Sequence, residues 1–259
     1  MRANVIRIAK PFEWELAGLF HDIGYHAEIA SNVLNRFGES ICEIKKDLCF
    51  QYPTKKVRFK IMPANLDKLT NDKSCIDLIQ QRLDEWQLRI DAKREYRRST
   101  NNRSGNVRVD HGVISSLVLL QTIDLLYQNV NPHRQKREFP VGELDFNEEY
   151  FENDVVSACS AIFIHNLPKE AFKDSKIDCS IAPLPFLLRL SDNLQQWERP
   201  SLDDPQGIPA SLFDFAVENG KIEYFTQIPI DKREWQEKID KMKIELKDSL
   251  VIPDWLNIH

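Results

Sequence analysis

The sequence predicts a mainly α-helical fold with one small β-hairpin near the C-terminus. Apolar residues recur at helical spacing in several long runs, which are bounded by glycine, proline or acidic residues. Apolar and polar residues instead alternate within 212–226, on both sides of an Asn-Gly pair, which is the strongest short-range signal for a hairpin. We therefore expect helices up to about residue 200 and a hairpin after it.

The first predicted helix is an apolar run that ends on His21 and Asp22. Pro11 favours the first helical position, and we expect Gly24 to end the helix in the left-handed conformation. Two polar side chains at the end of a buried helix need partners, because unpaired polar groups cost a few kcal/mol when buried. An Asp–His hydrogen bond, a helix-terminal ion pair and a metal site all meet this need.

A helix is predicted from residue 26 to 37, and the region 41–107 is then predicted to be a helical insertion that ends in a basic loop. Prolines interrupt its first half, and 74–90 has the spacing of an amphipathic helix. From Lys93 to Arg108, six basic side chains accompany a single acid. This composition suits a solvated loop, or a lid whose guanidinium groups bind phosphate oxygens in pairs.

Three further buried helices each carry a polar residue that could bind a metal. His111 precedes the helix predicted over 113–127, His165 follows the apolar run 155–164, and Asp192 lies within the helix predicted over 183–197. We expect Asp154 to cap the second of these helices. The third also contains Arg189, three residues before Asp192 and therefore on a neighbouring position of the helix surface.

The C-terminal region is predicted to be structural or interfacial. Strands at 212–217 and 221–226 flank a turn at Asn219 and Gly220, and Asp231 is expected to cap a charged helix that runs to about Leu250.

Composition restricts the class of protein. The 259 residues are 42% hydrophobic with a formal net charge of −5, which does not favour a general nucleic-acid coat. Five scattered cysteines indicate neither a disulfide framework nor a thiolate zinc site. No apolar run approaches the roughly 18 to 20 residues of a membrane span, and no signal peptide is recognisable, so a cytoplasmic protein without membrane contact is expected.

Five polar residues in apolar helical contexts suggest a shared centre. They are His21, Asp22, His111, His165 and Asp192. Three imidazoles and two carboxylates would bind one or two divalent transition metal ions such as Mn, Fe, Co, Ni or Zn, whereas magnesium favours oxygen ligands alone.

The same residues carry a resemblance to a known family. The string Leu-Phe-His-Asp-Ile-Gly at 19–24, then His111, His165 and an aspartate in Leu-Arg-Leu-Ser-Asp, resembles the HD-domain metal-dependent phosphohydrolase superfamily. The resemblance covers roughly residues 10–40 and 108–200 and implies an HD-domain-like helical core. The domain would then comprise residues 1–210, with 211–259 packed on it as a hairpin and helix.

The resemblance also implies a function. It assigns all five residues as metal ligands, Asp22 as the catalytic residue, and metal-activated water as the agent that hydrolyses a phosphate ester, most often of a nucleotide. Basic residues would bind the remaining phosphate charge, and the candidates are Arg97, Arg98, Arg108 and Arg189.

One departure from the family keeps alternatives open. Family members usually have a further ligand histidine upstream of the His-Asp pair, and residues 1–20 contain none. His111 could take the missing position, the site could have fewer ligands, or metal chemistry could be lost. The alternative functions are a non-catalytic nucleotide-sensing or protein-interaction module, and binding of nucleic acid through the basic stretch.

Overall fold

A computed structural model describes residues 11–30, 66–100, 109–135, 150–195 and 208–258. Within these ranges the chain forms seven α-helices and one three-stranded sheet, which confirms the mainly α class. The chain divides into two compact units, which we call the histidine unit and the hairpin unit. The histidine unit comprises the described residues of 10–82 and 91–167, and the hairpin unit those of 83–90 and 168–259.

The histidine unit is built around a helix that is apolar on every side. Its helices are α1 (Pro11–Phe20), the first part of α2 (Cys75–Glu85), α3 (Ala92–Thr100), α4 (His111–Gln135) and α5 (Val156–His165). Every residue of α5 is buried, and α5 packs against both α1 and α4. A helix without a polar face is stable only when neighbours cover it, so α5 forms the centre of this unit.

The starts of α4 and α5 differ from each other. Asp110 caps α4, since its Oδ1 accepts a hydrogen bond from the backbone N–H of Val113 at 3.2 Å. The predicted cap at Asp154 is wrong, because the π-helical turn Phe151–Val155 leads directly into α5 and buries Asp154 within continuous helix.

The glycine after the His-Asp pair has a different role from the one predicted. Gly24 is not left-handed, because Gly220 is the only described glycine with a positive φ. A Cβ atom at Gly24 would lie 2.5 Å from the carbonyl oxygen of His111. The Gly24 N–H also donates to the hydroxyl of Ser115 at 2.8 Å. The turn at 21–24 therefore packs against the first turn of α4, where only glycine fits.

The basic stretch is partly helical. The predicted loop is wrong over 93–100, because these residues belong to α3, which buries Ala92, Glu95 and Ser99 and exposes Arg97 and Arg98. The buried residues recur every three or four positions, which is the spacing of an amphipathic helix. Residues 101–108, including Arg108, lie outside the described residues, as do residues 41–65 of the predicted insertion and the predicted helix beyond residue 30.

Helix α2 ends earlier than the predicted range of 74–90. The N–H of Leu88 donates to the carbonyl of Leu83, and the N–H of Gln87 donates to the carbonyl of Asp84. Gln87 takes a φ of 57°, so a Schellman motif ends the helix without a glycine.

The hairpin unit contains α6 (Pro183–Leu194), β1 (Phe213–Glu218), β2 (Lys221–Thr226), α7 (Arg233–Ser249) and β3 (Leu256–Ile258). The predicted hairpin is confirmed: Val217 pairs with Ile222, and Asn219 and Gly220 both have positive φ, as a type I′ turn requires.

Two other features of the hairpin unit differ from the prediction. Strand β3 adds to β2 in parallel and was not predicted. Lys232, not Asp231, precedes α7, and it makes no side-chain cap.

None of the helices in the described ranges has both the length and the apolar character needed to span a membrane.

Candidate metal centre

Two histidine rings and one carboxylate converge in the histidine unit. One donor atom from each of Asp22, His111 and His165 lies within 4.8 Å of the others. The Nε2 atoms of the two histidines are 3.2 Å apart, and His111 Nε2 is 3.3 Å from Asp22 Oδ1. Neighbouring donors bound at about 2.0–2.2 Å to one ion lie about 2.8–3.6 Å apart in tetrahedral or octahedral geometry. These residues therefore form a cluster that could hold a metal ion.

A third histidine borders this cluster. His21 Nε2 is 3.2 Å from the second carboxylate oxygen of Asp22, and its ring centroid is 5.4 Å from that of His165. His21 and His111 thus contact different oxygens of the same carboxylate. We refer to Asp22, His111 and His165 as the cluster and to His21 as its neighbour.

Each of the three rings turns Nε2 toward the centre because its Nδ1 is held elsewhere. Nδ1 of His21 is 2.8 Å from the Gly18 carbonyl oxygen, and Nδ1 of His165 is 2.6 Å from the Ile162 carbonyl oxygen. Nδ1 of His111 is 2.7 Å from a carboxylate oxygen of Glu28. An acceptor at Nδ1 keeps a ring hydrogen there, so a metal ion that displaces the proton from Nε2 would bind the Nε2 lone pair.

The helix ends bring these rings together. His111 is the first residue of α4, and His165 is the last residue of α5. Gly112 allows the close approach, because a Cβ atom there would lie 2.8 Å from the Ile162 carbonyl oxygen and 2.9 Å from the His165 ring. The close contact between α4 and α5 at Gly112 therefore allows His111 and His165 to lie side by side.

The electrostatic setting favours a cation. His111 and His165 are 7% and 1% exposed, whereas the Asp22 side chain is 53% exposed, so the cluster has a buried wall and an accessible side. Burial lowers the pKa of His111, but the carboxylates of Asp22 and Glu28 outweigh it and raise that pKa to about 9. Hydrogen bonds from His111 and His21 hold the pKa of Asp22 well below its ordinary value. A divalent cation would satisfy the same preference for positive charge.

Two of the remaining predicted site residues are carried by the hairpin unit. Asp192 and Arg189 belong to the hairpin unit, where both are buried on α6. The Nε of Arg189 donates to the Ser249 hydroxyl at 2.7 Å, and its guanidinium lies 4.4 Å from the centre of the Phe172 ring. These contacts give Arg189 a structural role in its own unit. Its role in substrate binding and that of Asp192 as a ligand stay predictions.

Sequence reasoning did not single out Glu28. It is 6% exposed and accepts hydrogen bonds from both Nδ1 and the backbone N–H of His111, at 2.7 and 3.3 Å. An acid in an amphipathic helix ordinarily indicates a solvated face, which explains the omission. Its position six residues after Asp22, among the apolar residues that follow the dyad, was the available signal.

The chain matches no protein-family model, no curated protein and no solved structure.

Proposed function

We propose that the protein binds one or two divalent transition metal ions at Asp22, His111 and His165 and hydrolyses a phosphate ester of a nucleotide or related small compound. The observation that carries the proposal is the convergence of two Nε2 atoms and a carboxylate, with each ring fixed by an acceptor at Nδ1. The chain order of these residues supports it further, since the same order of ligands on helices characterises the superfamily that the sequence resembles.

The donor set favours particular ions. Two imidazoles and one carboxylate suit Mn, Fe, Co, Ni or Zn better than magnesium, which prefers oxygen donors. A second ion would draw on His21 and the other oxygen of Asp22, which lie 3.2 Å apart. Asp22 would then bridge the two positions.

The cluster residues would have different roles in binding the ion and orienting its water. A bound ion of this kind lowers the pKa of its water and neutralises charge on phosphoryl oxygens. His111 and His165 are buried and supply a fixed wall. Asp22 is exposed on the accessible side, where its carboxylate can accept a hydrogen bond from water and orient it.

Two features of the histidine unit suit a phosphorylated substrate. Arg97 and Arg98 are exposed on α3, and their guanidinium groups are the proposed partners of the substrate's phosphate oxygens. Tyr25 is 47% exposed, and its ring centroid lies 5.4 Å from that of His111. An exposed aromatic ring beside the cluster can stack on a base, which favours a nucleotide.

Chelation tests the proposal. We expect phosphate release from a panel of nucleoside mono-, di- and triphosphates and cyclic nucleotides to require Mn, Co, Ni or Zn. Treatment with EDTA should abolish release, and addition of the metal should restore it, because the ion supplies the activated water. Hydrolysis that persists in the metal-free protein would contradict the proposal, as would a metal-loaded protein that hydrolyses none of these compounds.

A non-catalytic module is the second candidate, and the observation in its favour is the lack of histidine in residues 1–20. The same panel separates the two functions. Calorimetry that detects tight nucleotide binding, with no product formed by the metal-loaded protein, would support the module.

A further inference from the structure

The three rings around the cluster are not held in the same way. His21 and His165 each donate from Nδ1 to the carbonyl three residues earlier in the chain, at Gly18 and Ile162. Each therefore uses the last turn of its own helix as the acceptor. His111 begins α4, so no preceding helical turn offers it a carbonyl.

Glu28 supplies the missing acceptor. It lies in the helical segment 25–30, one turn beyond the 21–24 turn that carries Asp22. Its Oε2 accepts from Nδ1 of His111 at 2.7 Å and lies 3.3 Å from the His111 backbone N–H. A single oxygen thus fixes both the ring and the first backbone group of α4.

The burial of the Glu28 carboxylate indicates that its contact with His111 has a specific role. Glu28 is 6% exposed, and taking a carboxylate out of water is costly unless it is paired and hydrogen-bonded. A neutral carbonyl serves the other two rings, so geometry alone does not require a charge at this position. A carboxylate additionally makes the imidazole a stronger donor to a metal ion, and partners of this type are typical of metal-binding histidines.

We propose that Glu28 is a positioning residue for the metal centre: it orients His111 so that Nε2 faces the cluster, and its charge strengthens the binding of a divalent cation. The inference rests on the proposed function, because it takes the cluster to be a metal site. It completes a carboxylate–histidine–metal arrangement, with two carboxylates, Asp22 and Glu28, balancing the charge of one divalent ion.

The test compares the zinc and manganese affinities of two Glu28 variants, measured by competition with a chromophoric chelator. Glu28→Ala removes both the acceptor and the charge, so we expect affinity to fall about 10- to 100-fold. Glu28→Gln keeps an acceptor oxygen without the charge, so we expect a smaller loss, under about tenfold. This variant also keeps the test decisive if the alanine variant does not fold.

A buried carboxylate elsewhere in the same unit provides the matched control. Glu95 is 2% exposed on α3 and pairs with Arg94 at 2.9 Å. We expect Glu95→Gln to lower the stability of the fold and leave metal affinity unchanged. A purely structural role for Glu28 predicts the same behaviour for its own variants.

A spectroscopic readout completes the experiment. In the zinc-loaded wild type, a hydrogen-bonded Nδ1–H proton of His111 should be visible by ¹⁵N-edited NMR and protected from exchange with solvent. It should persist in Glu28→Gln and be lost or unprotected in Glu28→Ala.

The outcomes distinguish this inference from the proposed function. Equal affinity in wild type and both Glu28 variants would overturn the role of Glu28 and leave the metal site standing. A wild type that takes up no metal would overturn both. Metal binding that depends on Glu28, without any hydrolysis, would support the inference and overturn the proposed function.

Discussion

Replacing Asp22 with alanine is expected to lower metal-dependent hydrolysis by at least about a hundredfold, since the loss of a few kcal/mol of metal-centred stabilisation corresponds to that factor. Asp22 is the carboxylate that contacts His111 at 3.3 Å and His21 at 3.2 Å, and it is the accessible member of the cluster. The measurement is the rate of phosphate release at saturating metal and substrate.

The control for this variant is a second exposed acid in the same region. Glu15 is exposed on α1, and Glu15→Ala should retain the wild-type rate. Circular dichroism should give the same helix content for both variants. Full activity in a folded Asp22→Ala protein would exclude this residue from catalysis.

Replacing Gly112 with alanine is expected to lower the free energy of unfolding by about 1–3 kcal/mol, the usual cost of overpacking a dense contact. The added Cβ would lie 2.8 Å from the Ile162 carbonyl oxygen, which is backbone and cannot rotate away. It would also lie 2.9 Å from the His165 ring, so α4 and α5 must separate and the cluster must widen. Urea denaturation measures the first effect, and the metal dissociation constant measures the second.

Gly18 offers the matched glycine control. It lies inside α1, and a Cβ atom there would meet no heavy atom within 4 Å. Gly18→Ala should therefore leave stability unchanged or raise it by roughly 0.5–1 kcal/mol through helix propensity. Equal stability of the Gly112 and Gly18 variants would contradict the close contact between α4 and α5.

The predictable parts of this fold are those specified by neighbouring residues. Asn219 and Gly220 fix a hairpin because their backbone tolerates positive φ, and the flanking alternation sets its register. The cap at Asp110 is equally local, since it acts on a backbone group three residues away. The apolar run of α5 was recognisable because it lacks any polar face.

The parts that were missed depend on residues distant in the chain. Gly24 looked like a helix terminator, but the reason for a glycine there is the His111 carbonyl, 87 residues later. Glu28 pairs with a histidine 83 residues away, so no local pattern separates it from a surface acid. Strand β3 spans only Leu256–Ile258, too short for a periodic signal, and forms because β2 offers an edge.

The sequence predicted some residues of the candidate site and missed others. The residue types and helix ends of Asp22, His111 and His165 pointed to a shared centre, and the structure brings these three together. Spacing could not show which further residues join them, because that depends on how the units fold. Glu28 contacts His111 although the sequence did not single it out, and Asp192 as a ligand stays a prediction.

The central claim is that Asp22, His111 and His165 bind a transition metal, and elemental analysis of the purified protein tests it most directly. The wild type, after incubation with Mn or Ni and removal of free metal, should contain roughly one or two ions per chain. Asp22→Ala and His165→Ala proteins prepared in parallel should contain none. A wild type without metal, or variants that retain the wild-type content, would contradict the account.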